Sequence, residues 1–193
     1  DGDITLTAKT DITIGTPEST DDGVSTEVGN IKLTAQTGKV LLNGTLTTVA
    51  TADRGTDSKF ADGNITVDAA TKLTQNANIK ATNGDISLLA RTDDLAQNAN
   101  IDVAKGDVSV TAGVAGTDSA ATFTGGSITM APGTSTIISD EGDIAYRAGT
   151  NIKSEILATN AGDIALTANA DIVAANAITT KLGKVDLTAQ TGS

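Results

Sequence analysis

The chain has no cysteine, no histidine and no tryptophan, and aromatic residues make up 2% of it. Without cysteine there is neither a disulfide framework nor a thiolate nucleophile. With histidine missing as well, Ser-His-Asp and Cys-His catalysis and the usual zinc sites are closed. Tyr146, Phe60 and Phe123 are the whole aromatic complement, which leaves a sugar almost no stacking platform. Long apolar runs are lacking too, and no stretch approaches the roughly 18 residues of a membrane-spanning helix. Positive charge is scarce, 13 basic residues against 24 acidic for a formal net charge of −11. Long-range repulsion therefore argues against nucleic acid, and against direct insertion into an anionic membrane.

What the chain does have is repetition. A phrase of Gly, polar, apolar, polar, apolar, polar, small returns as "GDITLTA" at 2, "GNIKLTA" at 29, "GNITVDA" at 63, "GDISLLA" at 84, "GDVSVTA" at 106, "GSITMAP" at 126, "GDIAYRA" at 142, "GDIALTA" at 162 and "GKVDLTA" at 183. A self-similar period near twenty residues is the mark of a solenoid. Within a period the alternation is of period two, which is a strand pattern, and no run shows helical spacing. Each unit divides into three short strands, as "DIALTA", "ADIVA" and "AITTK" in the unit from 162. The joints carry Gly, Asn, Asp and Thr, residues suited to turning a corner.

Three strands and three corners per unit predict an all-β parallel β-helix of about nine coils, a rod roughly 40 Å long at the strand spacing of a sheet. Its structural core ladder is expected to run through Ile4, Ile31, Ile65, Ile86, Val108, Ile128, Ile144, Ile164 and Val185. A second ladder is expected through Leu6, Leu33, Val67, Leu88, Val110, Met130, Tyr146, Leu166 and Leu187. A tube filled with Ile, Leu and Val has no room for a ring in every layer, which accounts for the scarcity of aromatics. The whole of 1–193 reads as a single solenoid segment that opens in mid-phrase, as part of a longer repeat protein or filament would. Three polar stretches, at 16–28, 50–62 and 112–125, break the period and read as loop insertions.

Carboxylate chemistry is the one catalytic route left open, since two acidic side chains can flank a glycosidic bond as acid and base. The acidic residues instead recur after the glycine, at Asp3, Asp85, Asp107, Asp143 and Asp163. There they mark a corner in every coil, and the expectation is a protein that is not an enzyme, with no catalytic residues. Stacked carboxylates about 5 Å apart repel by less than about 1 kcal/mol per pair when hydrated, and Asn30, Asn64, Ser127 and Lys184 interrupt the column. No cofactor is expected, calcium excepted, for which "STDDG" with Asp21 and Asp22 is the best local candidate because hard cations take oxygen ligands. "DRGTD" at 53–57 is not an RGD, because Thr56 intervenes, and "NGT" at 43 and "NIT" at 64 match glycosylation sequons. Outward threonines such as Thr5, Thr7 and Thr13 do not extend into a regular array that could match ice.

The recurring "GDIxLxA", with "QNANIKA" at 75 and "QNANIDVA" at 97, resembles the filamentous haemagglutinin-like exoproteins of two-partner secretion, and more loosely autotransporter passenger domains. The resemblance implies a right-handed coil and a shaft exported by a bacterium to its surface or beyond, serving adhesion or an extracellular matrix. The expected function is thus a non-enzymatic structural rod of a cell-surface or secreted fibre. One alternative is a filament subunit, because both ends lack a polar or helical cap and unpaired strand edges recruit further strands. Another is a binding module whose flank loops take a glycan or receptor of a host or neighbouring cell, or calcium.

Overall fold

The computed structural model describes residues 2–16, 22–48, 63–115 and 122–192. Every regular element among them is a strand. The first coil is β1 (Ile4–Ala8), β2 (Ile12–Ile14) and β3 (Val24–Thr26), and the second is β4 (Ile31–Ala35), β5 (Val40–Leu42) and β6 (Leu46–Thr48). The third is β7 (Ile65–Ala69), β8 (Leu73–Gln75) and β9 (Ile79–Asn83), followed by β10 (Ile86–Ala90), β11 (Leu95–Gln97) and β12 (Ile101–Lys105). The fifth coil has β13 (Val108–Ala112), a side hairpin of β14 (Val114–Ala115) and β15 (Thr122–Phe123), then β16 (Ile128–Met130) and β17 (Ser135–Glu141). Next come β18 (Ile144–Ala148), β19 (Ile152–Ser154) and β20 (Ile156–Ala161), then β21 (Ile164–Ala168), β22 (Ile172–Ala174), β23 (Ile178–Leu182) and β24 (Val185–Ala189).

Equivalent strands stack into three parallel sheets. The first runs β1-β4-β7-β10-β13-β18-β21-β24, the second β2-β5-β8-β11-β16-β19-β22, and the third β3-β6-β9-β12-β17-β20-β23. The described residues form a parallel β-helix of seven complete coils and the first strand of an eighth, about 34 Å long at a rise of roughly 4.8 Å per coil. Alternation decides which side chains enter the lumen. In β7, Ile65, Val67 and Ala69 are buried while Thr66 and Asp68 face outward, and β10 and β13 repeat the pattern. β-branched and aliphatic residues fit this pleated, one-sided surface, and their backbones are paired above and below.

The register follows the repeated phrase closely. Ile31 stands against Ile4 and Ile65, Ile86 against Ile65 and Val108, and Ile164 against Ile144 and Val185. Two members of the expected ladders are placed elsewhere. Ile128 pairs with Leu95 and Ile152, and Met130 with Gln97, all in the second sheet. Val108 pairs directly with Ile144 in the first. "GSITMAP" is therefore the second strand of the fifth coil and opens no coil of its own, so eight first-sheet strands replace the nine expected. Alternation around an interior strand looks the same in any of the three sheets, which is why the phrase misled.

The insertions are also narrower than the period breaks implied. Within 16–28, Val24–Thr26 is a strand paired with Leu46–Thr48. Within 112–125, Val114 and Ala115 pair antiparallel with Phe123 and Thr122. The insertion at 50–62 lies outside the described residues.

Candidate functional site: corners, outer groove and lumen

The acidic column after the glycines forms a hydrogen-bonded relay. The Asn30 amide donates to Asp3 Oδ1 at 2.7 Å, Asn64 to Asn30 Oδ1 at 2.9 Å, and Asp85 to Asn64 Oδ1 at 2.8 Å. Asp107 then donates to Asp85 at 2.9 Å, Asp143 to Asp107 at 2.8 Å, Asp163 to Asp143 at 2.7 Å, and Lys184 to Asp163 at 2.7 Å. Each side chain accepts the corner N–H of the following coil, a donor that the corner takes out of the sheet ladders. Aspartate and asparagine share the one oxygen this needs, so they alternate freely. Ser127 sits at a different corner, where its amide donates to Asp94 Oδ1 at 2.8 Å. Asp107→Ala is expected to destabilise the fold by about 1 kcal/mol and Asp107→Asn by close to nothing, measured by denaturant unfolding. Equal losses would show that charge, and not the acceptor oxygen, matters here.

Of the calcium candidate pair, the structure describes Asp22 alone. Asp21 lies outside the described residues, and no group of three or more acidic side chains that could hold a metal ion occurs among them, Asp22 included. Asn43 of the first sequon is buried, and its side-chain oxygen accepts from Asn76 Nδ2 at 2.9 Å. Asn64 of the second is exposed, with its Oδ1 engaged in the relay. "DRGTD" lies outside the described residues.

The three period breaks fall between different pairs of described strands: the first between β2 and β3, the second between β6 and β7, and the third between β13 and β16. The third sheet does carry an open groove of about 350 Å³ on its outer face, lined by Lys80, Thr82, Asp102, Ala104, Ile137 and Ser139. Lys80, Asp102 and Ile137 stand side by side in register on successive coils. Beyond it Lys105 Nζ meets Glu141 Oε2 at 2.8 Å, an exposed pair whose hydrogen bond raises the lysine pKa and lowers that of the glutamate. One carboxylate and one ammonium on the floor can bind polar groups, but Asp102 has no second carboxylate opposite it in the lining, as acid and base catalysis on a sugar requires.

Inside the tube is a polar cluster that the sequence did not announce. Tyr146 was expected in the lumen, and it is fully buried there. Its hydroxyl donates to Gln97 Oε1 at 2.6 Å and lies 2.7 Å from Thr136 Oγ1, while Gln97 Nε2 donates to Thr136 Oγ1 at 3.0 Å. The three residues come from the first, second and third sheets and from three successive coils. Burial pushes the Tyr146 phenol far above its ordinary pKa, with the two hydrogen bonds pulling the other way. Strand alternation did carry a signal for Gln97, since it occupies the inward position two residues after Leu95. Thr136 lies in a segment where inward and outward positions are equally apolar, so nothing marked it.

Comparison with protein-family models, with curated proteins and with solved structures finds no match to this chain.

Proposed function

We propose that this segment is a non-enzymatic structural shaft of a bacterial fibre or adhesin, on the cell surface or secreted. Its mechanism is geometric. Backbone ladders in three sheets run parallel to the rod axis, and the corner relay from Asp3 to Lys184 joins every coil to the next without a gap. That unbroken relay is the observation that carries the reading, since it links coil to coil and builds no pocket. The resemblance of the repeated phrase supports export by a bacterium, and the acidic surface keeps neighbouring rods soluble and apart. The partners this reading implies are further coils of the same solenoid and a glycan or receptor presented to the shaft or to what it carries.

A shaft tolerates a change of length. Three extra tandem copies of residues 86–107, one coil each, are expected to lengthen the rod by about 14 Å at unchanged width, as read by small-angle scattering. A variant that fails to fold, or that thickens instead of lengthening, would sink the shaft reading.

A second reading, end-to-end assembly, is favoured by the terminal rungs. Leu6 at one end and Val185 and Leu187 at the other are 40%, 43% and 48% exposed, although their equivalents Leu33, Ile164 and Leu166 within the rod are buried. In this reading a second copy covers them. Filaments one rod wide that lengthen with protein concentration under the electron microscope would support it, and monodisperse rods at every concentration would dismiss it.

A further inference from the structure

The fifth coil contains a register conflict that its apolar pattern does not resolve. In β17 the observed pairing sets Thr136 against Ile101 and Leu157, and Ile138 against Val103 and Thr159. Thr136 and Ile138 therefore face the lumen, and Ile137 is turned outward at 37% exposure onto the groove beside Asp102. This pairing requires a β-bulge, because three steps from Ile138 to Glu141 oppose two from Thr159 to Ala161. Sliding β17 by one residue removes the bulge: Ile137 would meet Leu157, Ile138 Ala158, Ser139 Thr159 and Glu141 still Ala161. The slipped strand would bury Ile137 and Ser139 in place of Ile138 and Thr136. Each register encloses one isoleucine and one hydroxyl residue, so hydrophobic burial does not choose between them, and the bulge counts against the one observed.

We propose that Gln97, Thr136 and Tyr146 form a cross-lumen lock that sets the register of β17, and thereby decides which side chain faces the outer groove. In the slipped register the Ile137 side chain would occupy the place of the Thr136 hydroxyl. Tyr146 would lose one of its two hydrogen-bond partners, and Gln97 Nε2, which also donates to the Ala99 carbonyl at 3.3 Å, would lose its side-chain acceptor. Unpaired buried polar groups are costly, and a satisfied network specifies one arrangement. The contrast one coil earlier is informative. Gln75, the counterpart of Gln97, faces no tyrosine, and its Oε1 has no partner among the described residues. The tyrosine sits in β18, on the coil that follows the one interrupted by the β14–β15 hairpin, and reaches back to Thr136 of that coil. This inference goes beyond the shaft reading and does not depend on it.

Because the chain has no cysteine, a single introduced thiol reports its own position. I137C and I138C are each made in the parent and in a Q97L/Y146F background, and their rates of modification compared. In the parent, the thiol at 137 is expected to react at least about tenfold faster than that at 138, as an exposed position does relative to one that needs local opening. In Q97L/Y146F the order is expected to reverse. The parental order in a folded Q97L/Y146F protein overturns the proposal. If Q97L/Y146F does not fold, deletion of Asp140, which removes the bulge from the observed register, is added to it. Recovery of the fold with position 137 reactive supports a register lock, whereas no recovery shows the trio to be bulk stabilisation only and overturns it.

Discussion

Gly142→Ala is expected to cost about 4 kcal/mol, among the largest losses open to a single methyl group in this protein. Gly142 has φ +147°, a conformation L side chains rarely adopt, and a Cβ there would lie 2.0 Å from the carbonyl oxygen of Gly106 and 2.6 Å from its carbon. Those atoms belong to the backbone of the coil before and are held by its own ladders. They move only if two coils separate, so strain at one corner becomes loss of pairing along three sheets. Gly133 provides the control. Its φ is +82°, yet a Cβ there meets nothing within 4 Å, so Gly133→Ala is expected to cost only the backbone strain, about 1 kcal/mol. Denaturant unfolding of the two variants separates conformation from stacking. Equal losses would mean that the close approach of successive corner glycines is unimportant.

Alkaline pH should unfold the rod through Tyr146. Its phenol is buried and neutral, with a folded pKa raised above the unfolded value of about 10. A raised folded pKa contributes stability that is fully present below the unfolded pKa and is lost as pH rises toward the folded one. Above about pH 10 the loss from this one group is about 1.4 kcal/mol per pH unit, against a total stability of roughly 5–15 kcal/mol for an ordinary domain. Since this is the only tyrosine and there is no tryptophan, its absorbance reports the site without background. The tyrosinate band is expected to appear together with loss of the β-sheet circular dichroism, in one cooperative step. In Tyr146→Phe the stability should depend less steeply on pH above about 10. Gradual appearance of tyrosinate in a folded protein would contradict the closed lumen.

The solenoid and most of its register were written in the phrase itself. Ile, Leu and Val at alternate positions, with glycine and an acidic or amide residue before them, fix both the lumen face and the corner, and β1, β4, β7, β10 and β13 follow it residue for residue. The column of corner residues was legible for the same reason, but that each side-chain oxygen accepts the N–H of the next coil came only from the structure. Ile128, Met130 and Ser127 were misplaced because a local pattern states which face a residue takes but not which sheet it joins.

What the sequence alone determined was the periodic part: parallel strands, a lumen of aliphatic residues, corners marked by an acidic or amide residue, and a chain free of histidine and cysteine chemistry. Those properties are local and recur every twenty residues or so, so one chain states them many times over. Only the tertiary structure decided the aperiodic part. It set the count of coils among the described residues, the sheet that Ile128 and Met130 join, the bulged register of β17, and the meeting of Gln97, Thr136 and Tyr146. These depend on contacts between residues as far apart as Gln97 and Tyr146 that occur once, and a feature that occurs once leaves no period to read.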